Sequence, residues 1–322
     1  IEEYISSAEP VSSQALVEKY GLDYSSATVR NELAELEKKA NELKEKSLTI
    51  VPTKMYFDDY DSEEAPVEVM CSLDYEKVES ETIFSVIDLL AKDKNLTVFD
   101  IGANVGWYSL TIKNHLPASV IYSFEPSPIT FSRLKDNMVL NGQDTDRVFN
   151  IGFYDQKDQM EFYYDVEGSG GSSFKNLRER ENVKKIIVDV DTIENFVKEN
   201  KVEDLDFIKC DVEGAELFVF KGGIDFIKKT KPVIFSEMLR KWSAKFNYTP
   251  NDIIELLKSI GYECYAISGI KKIRYCPIVD DETVETNYLF LDPDKHSEII
   301  DVCIIRFFSS ARPEIPSIRV II

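Results

Sequence analysis

The chain has 322 residues, of which 43% are hydrophobic, enough for a sizeable core and against wholesale disorder. Lys and Arg number 38 against 58 Asp and Glu, and the formal charge of −20 disfavours nucleic-acid and anionic-membrane partners where no basic patch intervenes. No apolar run approaches the length of a membrane span. Five dispersed cysteines (Cys71, Cys210, Cys264, Cys276, Cys303), with no C-x-x-C and no His at ligand spacing, point to reduced thiols and a cytoplasmic setting rather than disulfides or a zinc site. The first residue is Ile1 rather than Met, as expected of a fragment.

Residues 1–46 predict a small helical unit. Ile1, Tyr4 and Ile5 share a helix face, Gln14–Tyr20 makes a short helix ended by Gly21, and Ser25 caps a third from Ala27 to about Lys46. The outline is helix-turn-helix-like. The words YISSAEPVSSQALVEKYGLDYSSATVRNELAELE resemble the N-terminal winged-helix segment of HrcA-type heat-shock repressors over the first 37 residues. That resemblance implies DNA reading by the third helix through Ser25, Ser26, Thr28, Arg30 and Asn31. The segment then departs into KKANELKEKS where a wing would follow, and its ten acidic against six basic side chains make a poor duplex ligand. The plainer reading is a helical appendage, with DNA binding as the alternative.

Residues 47–95 form an acidic lead-in with a candidate strand at Val67–Ser72 and a helix over Ser80–Lys92. Strands then alternate with helices. The pattern predicts strands at 96–100, 119–124, 147–151, 160–164, 186–189, 205–210, 232–237, 262–267 and 286–291, and helices near 105–115, 128–140, 191–199, 216–228 and 250–260. The last helix carries Thr249 as N-cap, Pro250 at N1 and Gly261 at its end. This alternation means a doubly wound α/β sheet over 96–294, with ligands at the carboxyl ends of its strands. Residues 295–322 read as a tail, an extra edge strand or a disordered end.

In VFDIGANVGWYSL (Val98–Leu110) an apolar strand ends on Asp100 and turns through Gly102 and Gly106 into a helix. The spacing D-x-G-x-x-x-G departs from the dinucleotide pattern, and no Lys or Arg lies between Leu96 and Ile112 to meet a phosphate. S-adenosylmethionine, which lacks phosphate and carries a sulfonium and an ammonium, suits such a loop, and its carboxylate suits the N–H groups of the following helix. Glu125 ends the second strand, where a carboxylate accepts ribose hydroxyls. Asn104 in the loop is a candidate for the methionine end of the cofactor. Asn150, closing the third strand, is a candidate for the adenine edge or a turn residue.

FIKCDVEGAEL (Phe207–Leu217) is a second strand exit rich in charge, and Glu237 ends the next strand. Asp211, Glu213 and Glu237 are therefore candidates for one carboxylate rim. Two readings stay open: orientation and deprotonation of a hydroxyl, or a divalent metal; the assignment carries no metal ligand. Asp211 as a helix cap and Glu216 as surface charge are the plainer readings. EGSGGSSF (Glu167–Phe174) is a flexible linker or a loop over the cofactor. His115 ends a helix and His296 lies past the domain, so no His-dependent chemistry is expected.

Taken together, VFDIGANVG, SFEP, VFNIGFYD, GSGGSSF, IKCDVEGAE and NYLFLDP resemble the FkbM methyltransferase family over about residues 50–294. The resemblance implies a Rossmann-like class I methyltransferase fold and S-adenosylmethionine-dependent methylation of a hydroxyl oxygen on a sugar or secondary-metabolite acceptor. It carries the cofactor role to Asp100, Gly102, Asn104, Gly106 and Glu125, and puts Asp211 and Glu213 near the junction of donor and acceptor. A nicotinamide oxidoreductase on the same sheet would need a phosphate-cradling loop, which is missing.

Overall fold

The computed structural model describes Thr53, Met55 and residues 76–304. The expected elements in 1–46, the strand at 67–72 and the tail beyond 304 lie outside the described residues. The described chain runs α1 (Lys77–Leu90), β1 (Thr97–Ile101), α2 (Trp107–His115), β2 (Val120–Phe124), α3 (Pro128–Leu140), β3 (Val148–Phe149), β4 (Gly152–Phe153), β5 (Asp158–Tyr164), β6 (Lys184–Asp191) and α4 (Ile193–Glu199). It continues through β7 (Phe207–Cys210), α5 (Glu216–Lys221), α6 (Ile224–Thr230), β8 (Val233–Glu237), α7 (Arg240–Ser243), α8 (Pro250–Lys258), β9 (Glu263–Gly269), β10 (Lys272–Tyr275), β11 (Asn287–Leu291) and α9 (Ser297–Cys303).

The main sheet has the order β10-β9-β11-β8-β7-β1-β2-β3. Pairing is parallel from β3 through β2, β1 and β7 to β8, while β11 runs antiparallel to both β8 and β9. The central strands are apolar on both faces and feed two cores. Phe99, Ile208 and Ile234 face α4, α5, α6 and α8; Val98, Phe207 and Val233 face α1, α2 and α9. The chain winds outward from β1 through β2 to β3, then returns to β7 on the other side of β1. That reversal opens a crevice at the carboxyl ends of β1 and β7.

The doubly wound sheet expected from the alternation is present, with four local differences. The strand expected at 147–151 breaks at Asn150, so β3 stays in the main sheet while β4 joins β6 and β5 in a separate three-stranded sheet. The helix expected over 216–228 splits at Gly222–Gly223, where the chain crosses so close to the 154 backbone that a Cβ on Gly222 would stand 2.1 Å from Tyr154 O. Strand β10 was not expected; it folds back antiparallel on β9 as an edge hairpin. The start of the expected tail is α9, whose Ile299 and Cys303 are buried in the α1 core. His296 belongs to this closure: it is buried, and its Nδ1 accepts the Asp292 N–H at 2.9 Å.

The aromatic cluster beneath β2 and β3 is centred on Phe196 of α4. Its ring packs edge-on against Phe99, Tyr122, Phe124, Phe149 and Phe153 at centroid distances of 4.8–6.0 Å. Phe196→Ala is expected to lower stability by about 3–5 kcal/mol, read by urea denaturation, because five rigid rings cannot collapse into the space. A loss under about 1 kcal/mol would contradict this packing.

Candidate active site

The loop after β1 carries two glycines for different reasons. Gly102 (φ +76) passes so close to β7's exit that a Cβ would lie 1.9 Å from Asp211 O. Gly106 (φ +95) turns the chain into α2 and leaves room for Leu134 of α3, whose Cδ1 would be 2.5 Å from an added Cβ. Asn104 also takes a left-handed conformation (φ 49), and its N–H donates to Glu125 Oε2 at 3.1 Å. Glu125 Oε1 accepts the Ser127 N–H at 2.9 Å. Each oxygen of Glu125 therefore keeps a lone pair for a ligand. Burial pushes this carboxyl up to about 7, with the two backbone N–H groups opposing the shift.

A cavity of about 520 Å³ opens over this loop, of a size that suits a small-molecule site. Gly102, Asn104 and Glu125 line it, together with Asp211, Glu213 and Glu237; Glu125 follows β2 and the other three carboxylates follow or end β7 and β8, on the far side of β1 in the sheet order. Three of the expected cofactor residues are not at its wall. Asp100 is wholly buried under the loop, where Oδ2 accepts from Ser109 Oγ at 2.5 Å, and burial raises its carboxyl against the pull of Lys209 and Ser109. Gly106 shapes the turn. Asn150 Nδ2 donates to Glu125 O and Pro126 O, each at 2.9 Å, so its amide braces the turn that carries Glu125 rather than facing the cavity.

Lys209 was missed as a site residue. It projects from the central strand β7, donates to Gly102 O at 2.9 Å, and stands 3.3 Å from Asp211 Oδ2 and 3.9 Å from Asp100 Oδ1. Burial works against its charge, but Asp211, Asp100 and Glu76 together hold the ammonium above its usual range. A lysine inside the apolar run FIKC was the available signal, since such a charge is buried only with partners. Glu76, just before α1, also lines the cavity and accepts from Tyr108 Oη at 2.5 Å. No local pattern marks it; only the packing of α1 brings it there.

The acidic exit of β7 is a braced turn. Glu216, read from sequence as surface charge, is buried: Oε1 accepts the N–H groups of Val212 and Gly214 (3.2 and 3.0 Å), and Oε2 accepts Tyr248 Oη at 3.0 Å. Asp211 is not a helix cap; it pairs with Lys209. Burial raises the carboxyls of Glu213 and Glu237, with Asp211 the next cause in both. The Glu167–Phe174 segment packs on both halves of the site. Ser169 Oγ donates to Asn104 Oδ1 (3.2 Å) and Ser173 Oγ to Glu213 O (2.7 Å), while Ser169, Gly170, Ser172 and Phe174 line the cavity. Among the described residues, no helix is long and apolar enough to cross a membrane.

The residues present fit S-adenosylmethionine. Glu125 offers acceptors for a diol, Gly102 and Asn104 line the same cavity, and its charged residues are mostly acidic, with Lys209 and Arg178 as its cations. The comparisons agree. The family model for the methyltransferase FkbM domain matches residues 100–264, just over half of the chain. Methyltransferase 1 of Beauveria bassiana is 28% identical over 142 residues, covering 39% of this chain and 57% of that protein. The 2-O-methyltransferase NoeI of Sinorhizobium fredii is 27% identical over 159 residues, covering 45% of this chain and 64% of that protein. A heat-inducible transcription repressor HrcA of Clostridium perfringens is 57% identical over 37 residues, 12% of this chain and 11% of that protein. The matches to these three span less than two thirds of their own lengths. The chain belongs to the FkbM methyltransferase family, whose methyl donor is S-adenosylmethionine.

Proposed function

We propose that this protein transfers a methyl group from S-adenosylmethionine to a hydroxyl oxygen of a sugar or other polyhydroxylated small molecule or glycan. The observation that carries the reading is one cavity lined by a diol-accepting carboxylate after β2, Glu125, and by three carboxylates after β7 and at the end of β8, Asp211, Glu213 and Glu237, with β1 between the two sets in the sheet order. The relative NoeI is a 2-O-methyltransferase, which supports an oxygen acceptor.

When bound, the cofactor supplies a methyl group already activated by a sulfonium. The protein's part is then alignment, exclusion of water and handling of one proton. Glu125 accepts the ribose hydroxyls, and Gly102 and Asn104 shape the loop that holds the methionine end. The Ser169–Phe174 segment, tied to Asn104 and Glu213, lines the cavity and helps exclude water from it. With the donor held at Glu125 and the glycine loop, it would supply its methyl to the acceptor oxygen, the electron pair of the carbon–sulfur bond staying with sulfur. The acceptor hydroxyl is oriented by, and gives up its proton at, the carboxylate rim of Asp211, Glu213 and Glu237. The acidic wall favours neutral polyols over phosphorylated acceptors.

A second reading attaches to residues 1–46 alone, favoured by the 57% identity over 37 residues to the repressor. It predicts salt-dependent duplex binding that Arg30→Ala abolishes, and absence of any binding at low salt would remove it.

Calorimetric titration with S-adenosylmethionine is expected to give micromolar binding. Gly102→Ala should weaken it at least about 100-fold, about 2.7 kcal/mol, with circular dichroism checking the fold. Unchanged affinity in a folded Gly102→Ala protein would place the donor elsewhere. Ionised Glu125 is the better diol acceptor, so affinity for S-adenosylhomocysteine should rise from pH 6 to 8 and then level, following a carboxyl near about 7. Glu125→Gln should bind about tenfold or more weakly and lose that rise. A flat wild-type profile would contradict the assignment.

A further inference from the structure

Asp211, Glu213 and Glu237 each bring a carboxylate oxygen within 4.8 Å of the others. Two oxygens on opposite sides of a hard divalent ion stand about 4.2 Å apart for magnesium and about 4.6–5.2 Å for calcium. Three oxygens within 4.8 Å of one another are close enough to share one such ion. A second observation is independent of that spacing. Glu213 Oε2 is shut off from solvent and has no hydrogen-bond partner, on a residue that lines the cavity. An ionised oxygen so placed is costly unless something positive meets it. Arg178 and Lys241 do act on Glu213, but less than burial and the repulsion of Asp211 and Glu216, and Lys209 pairs with Asp211 Oδ2 at 3.3 Å.

We propose that Asp211, Glu213 and Glu237 bind one divalent, oxygen-preferring cation at the acceptor end of the cavity. The all-carboxylate donor set, without Cys or His, suits magnesium, manganese or calcium rather than zinc. Three protein oxygens leave coordination positions for water and for substrate. A vicinal diol fills two of them, so the preferred acceptor is a polyol with adjacent hydroxyls. One of these, bound to the ion, is acidified and held for methylation. The inference rests on the methyl-transfer reading of the cavity and narrows its substrate class.

The test uses terbium(III) as a luminescent probe for the full chain, since Trp107 and Tyr108 line the same cavity and can sensitise its emission. Wild type should give saturable emission with a single strong site, displaced by millimolar calcium, manganese or magnesium. Glu213→Gln and Glu237→Gln should each weaken it at least tenfold while S-adenosylhomocysteine binding, followed by calorimetry on the same samples, stays within about threefold. Wild-type protein that binds S-adenosylhomocysteine but shows no saturable terbium site overturns the inference, as does emission unchanged in both variants. Loss of S-adenosylhomocysteine binding in wild type, with the terbium site intact, overturns the methyl-transfer reading and leaves the cation site standing.

Discussion

The site depends on the close approach of two strand exits. Gly102 after β1 and Asp211 after β7 come so near that no side chain fits between them, and Lys209 ties the pair by donating to Gly102 O while facing Asp211. The two loops are thereby held together as adjoining parts of one cavity lining. The ammonium is buried among Asp100, Asp211 and Glu76, so removing it would strand several acidic groups in a poorly solvated space. Local stability and ligand geometry share one interaction here.

Around that contact, polar groups that hold the loops are distinct from those that face the ligand. Asp100, Asn150 and Glu216 spend their hydrogen bonds on backbone and hydroxyl partners beneath the surface. Glu125, Asp211, Glu213 and Glu237 line the cavity. The first group fixes where the second group stands, as pre-organisation requires. The result is a cavity with Glu125 at the end of β2 and a denser acidic cluster at the ends of β7 and β8.

Most of this was legible from strand ends. A carboxylate or glycine at the exit of an apolar run is a local signal, so Gly102, Glu125, Asp211 and Glu237 could be read without knowing the fold. Which strand-end residue turns inward was not legible, because it depends on partners far along the chain. Asp100 and Asn150 have the right positions but the wrong neighbours: Ser109 claims one, and the Glu125–Pro126 backbone claims the other. Glu76 sits in the wall only because α1 packs on the β1 face. The split at Gly222 is also tertiary in origin, set by the 154 backbone passing alongside. The alternating pattern of β5 and β6 identified strands but not their sheet, since period-two alternation carries no address.

The central claim is that the crevice between β1 and β7 is a methyl-donor site facing an acidic acceptor rim. A crystal structure of the chain with S-adenosylhomocysteine tests it most directly. The account predicts the ribose hydroxyls within hydrogen-bond distance of Glu125 and the thioether sulfur turned toward Asp211, Glu213 and Glu237. Nucleoside bound away from Glu125, or a sulfur facing away from that rim, would contradict it.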